Sequence, residues 1–291
     1  MKNLNRKVVA ITGAASGIGK ELANKFAGQG AILALNDWNE NALTATVLEL
    51  KQNGANVFGF PFDVSDRTSW ELFADKIVEQ FGHIDILINN AGITHYMTPV
   101  DKIDQEEFSR VLNVNMWGCI HGTQVMSPIL KNRPAASLVN VSSSLGLVGY
   151  PYQGAYVMSK FAINGLTETL QLENRGFRNF HIMSVHPGST RTNLVRNIIH
   201  PQRTQLDKMI HTFDKYSLST ATHAADKIIK GIRKKKKRVL IGKDTHYMVL
   251  ISRLFPKLYH HLLPPTFNPQ KLNSQKEKEL SNSVIGKVAK T

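Results

Sequence analysis

The chain has 291 residues, 42% of them apolar, a formal net charge of +14 and a single cysteine. That length and apolar share suit a globular protein with a sizeable core, while one cysteine excludes a disulfide framework and fits a reducing, cytoplasmic compartment. No signal peptide opens the chain, and no stretch reaches the roughly 20 apolar residues of a spanning helix. Residues 7–11 (KVVAI) read as a short buried strand that stops at residues 12–19 (TGAASGIG), ahead of a helical pattern over 20–28. In such a strand–turn–helix unit Gly13, Gly17 and Gly19 serve a tight turn, close backbone approach to a phosphate and close packing of helix on strand. Ser16 and Ile18 lie between them, and the helix N-terminus faces a pyrophosphate.

The second strand, 31–36, ends at Asp37. A carboxylate there accepts hydrogen bonds from adenosine ribose hydroxyls and repels a 2′-phosphate; otherwise it caps a helix or a turn. Trp38 follows rather than an arginine, and Ser16 adds no positive charge. A helix over 41–53 leads to a strand over 57–62 and then to Asp63 and Val64. Asp63 is either an acceptor for an adenine amino group or a turn residue. Helix 69–81 precedes strand 84–88, which runs into Asn89, Asn90, Ala91 and Gly92, residues suited to a chain that turns sharply beside a cofactor.

The spacing predicts one long helix over 106–130. Asn115 lies in it among apolar neighbours, where an amide is either structural and satisfied by backbone or functional. Cys119 shares that helix without His or Asp company. Strand 137–141 ends in Ser142, Ser143 and Ser144, and helix 154–175 carries Tyr156 and Lys160, four residues apart and so on one face. An ammonium beside a phenol stabilises the phenolate. The Tyr156 pKa is therefore expected to fall from about 10 toward the working pH, which makes a proton donor and acceptor. Strand 180–185 leaves through Pro187, Gly188, Ser189, Thr190, Arg191 and Thr192; residues 227–233 are helical and 238–241 form a last strand. This alternation predicts an α/β protein, a doubly wound parallel sheet of about seven strands with ligands beyond the strands' carboxyl ends. The histidines show no metal-ligand spacing, and no metal is expected.

Together the TGAASGIG turn, residues 89–92 (NNAG), Asn115, Ser143, residues 156–160 (YVMSK) and residues 187–192 (PGSTRT) resemble the short-chain dehydrogenase/reductase family in order and mutual spacing, over about residues 5–242. The resemblance implies a Rossmann-type fold and a catalytic set of Asn115, Ser143, Tyr156 and Lys160. In it Tyr156 acts as general base or acid, Lys160 lowers its pKa and holds the nicotinamide ribose, Ser143 binds the substrate oxygen, and Asn115 anchors a relay water. It implies cofactor contacts from Gly13, Ser16, Gly17, Ile18, Gly19, Asp37, Asp63, Val64, Asn90, Ala91, Gly92, Tyr156, Lys160, Pro187, Gly188, Thr190 and Thr192. Asp37 favours NAD, with NADP the lesser expectation. A homodimer or homotetramer built through the Tyr156 helix is also implied. The spacing to Gly146 and Tyr156 selects Ser143 over Ser142 and Ser144.

Candidate substrate contacts are Ser143, Leu145, Tyr150 and Tyr156, with walls from His95, Tyr96, Met97 and Val148 and a lid from Leu194, Val195, Ile198 and Ile199. Most are apolar, and several could simply pack on neighbouring helices. The expected function is an NAD(H)-dependent oxidoreductase for a lipophilic alcohol or carbonyl (steroid-, retinoid- or fatty-alcohol-like). The rivals are an NADP(H)-dependent carbonyl reductase and a catalytically inactive, dinucleotide-binding, membrane-associated sensor. Residues 1–242 are expected to form the catalytic domain and 243–291 a C-terminal extension. From Arg233 onward 14 Lys and Arg face only Asp244, Glu277 and Glu279, which concentrates +11 of the charge there. Residues 233–238 (RKKKKR) are either a solvated turn or, with Arg253, Lys257 and the apolar stretch 248–263, a face for anionic lipid in a peripheral membrane enzyme. No nucleic-acid partner is expected, because basic charge without a binding fold is weak support. Beyond Pro264 the chain is polar and Lys-rich, a composition that orders poorly unless docked.

Overall fold

The computed structural model describes residues 3–262, apart from 197 and 199–202. Leu263, the Lys-rich stretch beyond Pro264 and the lid residue Ile199 fall outside the described residues. Seven parallel strands form one sheet. They are β1 (Val8–Thr12), β2 (Ile32–Asn36), β3 (Val57–Gly59), β4 (Ile86–Asn89), β5 (Ala136–Val141), β6 (Phe180–Pro187) and β9 (Arg238–Ile241), and their order is β3-β2-β1-β4-β5-β6-β9. A ribbon of β7 (Thr190–Arg191) and β8 (Ser219–Thr220) stands apart. The helices are α1 (Gly17–Ala27), α2 (Glu40–Gln52), α3 (Arg67–Phe81), α4 (Gln105–Leu112), α5 (Gly118–Lys131), α6 (Gly154–Glu173), α7 (Arg203–Tyr216), α8 (Ala221–Arg233), α9 (Lys243–Leu254) and α10 (Pro256–Leu262).

Successive strand residues point to opposite faces, and both faces are covered, so the strands read as unbroken apolar runs. Val9, Ile11, Leu33 and Leu35 join the core under α1 and α8. Val8, Ala10, Ala34 and Leu87 join the core under α3 and α5. The strand order reverses between β1 and β4, which is the switch point where such sheets bind ligands.

Three elements depart from the sequence reading. The long helix expected over 106–130 is two helices, α4 and α5, joined by a π-helical turn at Asn113–Trp117. Helix α8 starts six residues earlier than the apolar pattern indicates, capped by Thr220, whose hydroxyl accepts from His223 N–H at 3.1 Å. Helix α7 was not anticipated, because its sequence, RTQLDKMIHTFDKY, is largely polar.

The chain divides into two compact units, one ending at Tyr247 and the other beginning at Met248. In the second unit Pro256, which lacks an N–H, opens α10, and Phe255 N–H donates to Ile251 O at 2.8 Å. Among the described residues no helix is long and apolar enough to cross a membrane.

Candidate active site

The glycine turn joins β1 to α1 at the carboxyl edge of the sheet. Gly17 has φ +51°, a left-handed conformation that side chains resist, and a Cβ on Gly19 would run into the Gly13 carbonyl oxygen. A Cβ on Gly17 would stand 3.2 Å from Thr192 Cβ, so the loop after β6 lies over the turn. Ser16 precedes α1 in an extended conformation and gives it no side-chain cap, which leaves the first-turn N–H groups without that partner. Asp37 is buried at the end of β2, where one carboxylate oxygen accepts from Ala15 N–H and the other from Asn39 N–H, both at 3.1 Å. The carboxylate thus stands directly against the glycine turn.

The other expected cofactor residues divide. Asn90 ties β4 to the turn: its amide donates to Thr12 O at 2.9 Å and Gly13 O at 3.2 Å, and Thr12 Oγ1 accepts from both Asn90 and Ala91 N–H at 3.0 Å. Thr12, which the sequence reading took only as the first residue of the glycine turn, is thus a further site residue. Val64 is buried, and Asp63 is exposed, its Oδ1 taken by Ser65 N–H and Oγ. Gly188 admits the start of α9; a Cβ there would meet Asp244, whose Oδ2 accepts from Ser189 N–H at 2.7 Å. Pro187 and Thr190 are buried beside it, and Thr190 Oγ1 donates to Gly188 O at 3.1 Å.

The structure separates the three serines after β5. Ser142 Oγ donates to Lys160 O at 2.8 Å and clamps α6 to the strand end. Ser144 opens a short 3-10 turn. Ser143 alone pairs its hydroxyl with the Tyr156 phenol, while its Oγ accepts from Leu145 N–H at 3.1 Å. Lys160 is 3% exposed. Its Nζ donates to Val141 O at 3.1 Å and stands 5.6 Å from the Tyr156 ring centroid. A Cβ on Gly92 would lie 3.2 Å from both Lys160 Nζ and Asn115 Oδ1, so the backbone at Gly92 passes close against both groups.

The expected fall in the Tyr156 pKa is corrected by this geometry. Burial pushes the phenol up to about 12, and the Ser143 hydrogen bond only partly opposes that. The ammonium spends a hydrogen bond on Val141 O, and burial draws Lys160 itself down to about 8. Burial likewise raises the Cys119 thiol to about 12, which leaves it an inert, protonated group.

The π-turn explains Asn115. It rotates the side chain inward, where Oδ1 accepts from Ile93 N–H at 2.8 Å and Nδ2 donates to Ile93 O and Ser159 Oγ, each at 2.9 Å. Ser159 in turn donates to Tyr156 O at 2.7 Å. Asn115 therefore braces the loop after Gly92 against the Tyr156 helix, through its side chain.

Among the expected substrate contacts and lid residues, Leu145 and Leu194 pack on the small cluster that contains Tyr156, and Ile93, which the sequence reading did not single out, packs there too. Val195 and Ile198 are buried in a second cluster with Leu206 and Tyr96. Burial raises the Tyr150 phenol. His95 is buried, its Nδ1 2.7 Å from Tyr96 O, and its own carbonyl accepts from Gln153 at 3.2 Å. Gln153, missed in the sequence, also accepts from Thr94 Oγ1 at 2.8 Å and so fixes the wall loop to the start of α6.

A parallel sheet with a glycine turn at its switch point and a buried carboxylate closing the second strand defines a dinucleotide-binding protein, and the residues present fit such a cofactor. Residues 7–203 match the family model described as short chain dehydrogenase, and the chain belongs to that family of oxidoreductases. SadH of Mycobacterium tuberculosis, named as a putative oxidoreductase, is 33% identical over 265 residues, covering 90% of this chain and 96% of its own. Cyclopentanol dehydrogenase of Comamonas sp. is 33% identical over 199 residues, 68% of this chain and 79% of its own. The structure of a short chain dehydrogenase/reductase from Burkholderia phymatum in complex with NAD superposes with a TM-score of 0.80 at 31% identity, covering 91% of this chain and 98% of that one.

Proposed function

We propose that this chain is an NAD(H)-dependent oxidoreductase that interconverts an apolar alcohol and its carbonyl, with Tyr156 as the acid/base. The observation that carries the reading is the Ser143–Tyr156 hydroxyl pair, set beside buried Lys160 and walled by Leu145 and Leu194. The bound nicotinamide supplies or accepts the hydride. Ser143 and Tyr156 hold the substrate oxygen, and the protonated phenol is the form that donates to a carbonyl. Lys160 holds the nicotinamide ribose, and Asn115 keeps Lys160 and the loop after Gly92 in place and links the site to a proton-relay water. The glycine turn, with Ser16 and Ile18, cradles the pyrophosphate; Val64, Asn90 and Ala91 flank the adenosine side, and Pro187, Gly188, Thr190 and Thr192 the nicotinamide side.

Asp37 sets the preference for NAD over NADP, since its carboxylate faces the ribose and Trp38 brings no counter-charge for a 2′-phosphate. The family relative named for cyclopentanol and the neighbour solved with NAD support an apolar alcohol and this cofactor. Turnover of a panel of apolar alcohols and ketones with both cofactors, followed at the reduced-nicotinamide absorbance, tests the proposal. Equal or better efficiency with NADP(H) would overturn the cofactor assignment, and turnover confined to sugars or hydroxy acids would overturn the substrate class.

The same reading includes self-association. Met158 and Phe161 are exposed large apolar residues at i,i+3 on α6, with exposed Trp117 in the π-turn, and a second copy of the chain would cover them. It also includes a catalytic domain over 1–242 and an extension over 243–291 that lays a cytoplasmic enzyme on anionic lipid. Tyr247, Leu250, Leu254, Phe255 and Leu258 are exposed near Lys243, Arg253 and Lys257 in sequence. Because Asp244 and Thr245 pack on Gly188, the truncation for vesicle co-sedimentation is best placed after Tyr247. Loss of pelleting with anionic vesicles on truncation or in high salt supports the membrane role; equal pelleting of both forms contradicts it.

A further inference from the structure

We propose that His186 is a positioning residue for Ser143: its ring N–H holds the Ser143 carbonyl and so aims the Ser143 hydroxyl at Tyr156. The proposal deepens the reading above and rests on the role given there to Ser143. The β5–β6 ladder is continuous to the Val141–Val185 pair, and Ser142 N–H donates to Val185 O at 2.8 Å. In a parallel ladder the next rung would come from the N–H of residue 187, which is proline and has none. The backbone ladder therefore ends immediately before Ser143.

His186 takes over at that point. Its ring is 0% exposed, and Nδ1 lies 3.0 Å from Ser143 O. A carbonyl can only accept, so Nδ1 carries the proton and the tautomer is fixed. Nε2 is then a bare acceptor, and it finds no partner among the described residues. A buried acceptor left unpaired costs stability, and a leucine or phenylalanine at an interior strand position would avoid that cost. Core packing alone does not explain the imidazole; the bond to Ser143 does. Burial holds the ring neutral, drawing its pKa to about 4. The Ser143 carbonyl and Glu168 oppose that fall, and Arg238 and Lys160 assist it. The donor is therefore unchanged across the neutral range. On its far side Ser143 is pinned by Leu145 N–H, so backbone and hydroxyl are fixed from two directions.

The test is a double-mutant cycle with Ser143→Ala. His186→Leu is expected to lower kcat about tenfold with KM for the cofactor within about twofold, as a small misplacement of a reacting group does. His186→Asn, whose amide N–H can reach the Nδ1 position, is expected to restore most of kcat. In the Ser143→Ala background His186→Leu should change kcat little. The same loss in both backgrounds, or no loss at all, overturns the proposal. A readout independent of turnover is the imidazole ¹⁵N spectrum of the wild type: an Nδ1–H tautomer is required, and an Nε2–H tautomer overturns the proposal. Should the wild type show no nicotinamide-linked turnover, the proposed function fails, and the tautomer still decides the role of His186.

Discussion

The two ends of the sheet each bury a charge and treat it in opposite ways. At the amino end Asp85, 0% exposed, accepts from Lys7 at 3.4 Å, Arg133 at 3.1 Å and Val8 N–H at 3.1 Å, with His83 3.2 Å away. At the carboxyl end Lys160, 3% exposed, has one backbone carbonyl as its hydrogen-bond partner among the described residues, and burial draws its pKa down to about 8. A buried charge that is fully satisfied holds β1, β4 and the end of α5 together. A buried charge that is underpaired is costly, and such groups gather where chemistry is done.

Substituting the two residues should break the comparison cleanly. Lys160→Met is expected to lower turnover at least ~10²-fold and yet stabilise the fold by about 1–3 kcal/mol near neutral pH, because an apolar side chain of similar length avoids the burial penalty. The folded pKa lies below the ordinary value of 10.5, so the unfolded chain binds more protons between about 8 and 10.5. Wild-type stability should rise with pH across that window, and the variant should lose the rise. Asp85→Asn should do the reverse, costing on the order of 2–3 kcal/mol in denaturant unfolding with kcat of the folded enzyme unchanged. If both substitutions destabilise alike, the contrast between the ends fails.

A smaller effect sharpens the same picture within the carboxyl end. Asp37→Ala is expected to narrow the preference for NAD over NADP by about tenfold, read as the ratio of kcat/KM values. Retention of the full preference would place cofactor discrimination elsewhere.

What could be read from the sequence was what is local. The strands announced themselves as apolar runs because both faces of the sheet are covered, and the glycine turn and the Tyr156–Lys160 spacing are set by neighbours in the chain. What could not be read depends on distant partners. The π-turn at Asn113–Trp117 shifts a helical register so that Asn115 meets Ile93 and Ser159, 22 and 44 residues away in the chain. The sign of the Tyr156 shift depends on burial and on where Lys160 points, and the i,i+4 spacing carried neither. Helix α7 was hidden by its polar composition. The sequence reading ended β6 at residue 185 and so left His186 off it, and the bond of its ring to Ser143 joins residues 43 apart in the chain.

The account turns on the phenol of Tyr156, and one comparison tests it most directly. Wild type and Tyr156→Phe are assayed with NAD and an apolar secondary alcohol at the reduced-nicotinamide absorbance, with NAD binding measured in parallel. The account predicts a loss of at least ~10²-fold in kcat for the variant with cofactor binding nearly intact. A variant that turns over at close to the wild-type rate would contradict it.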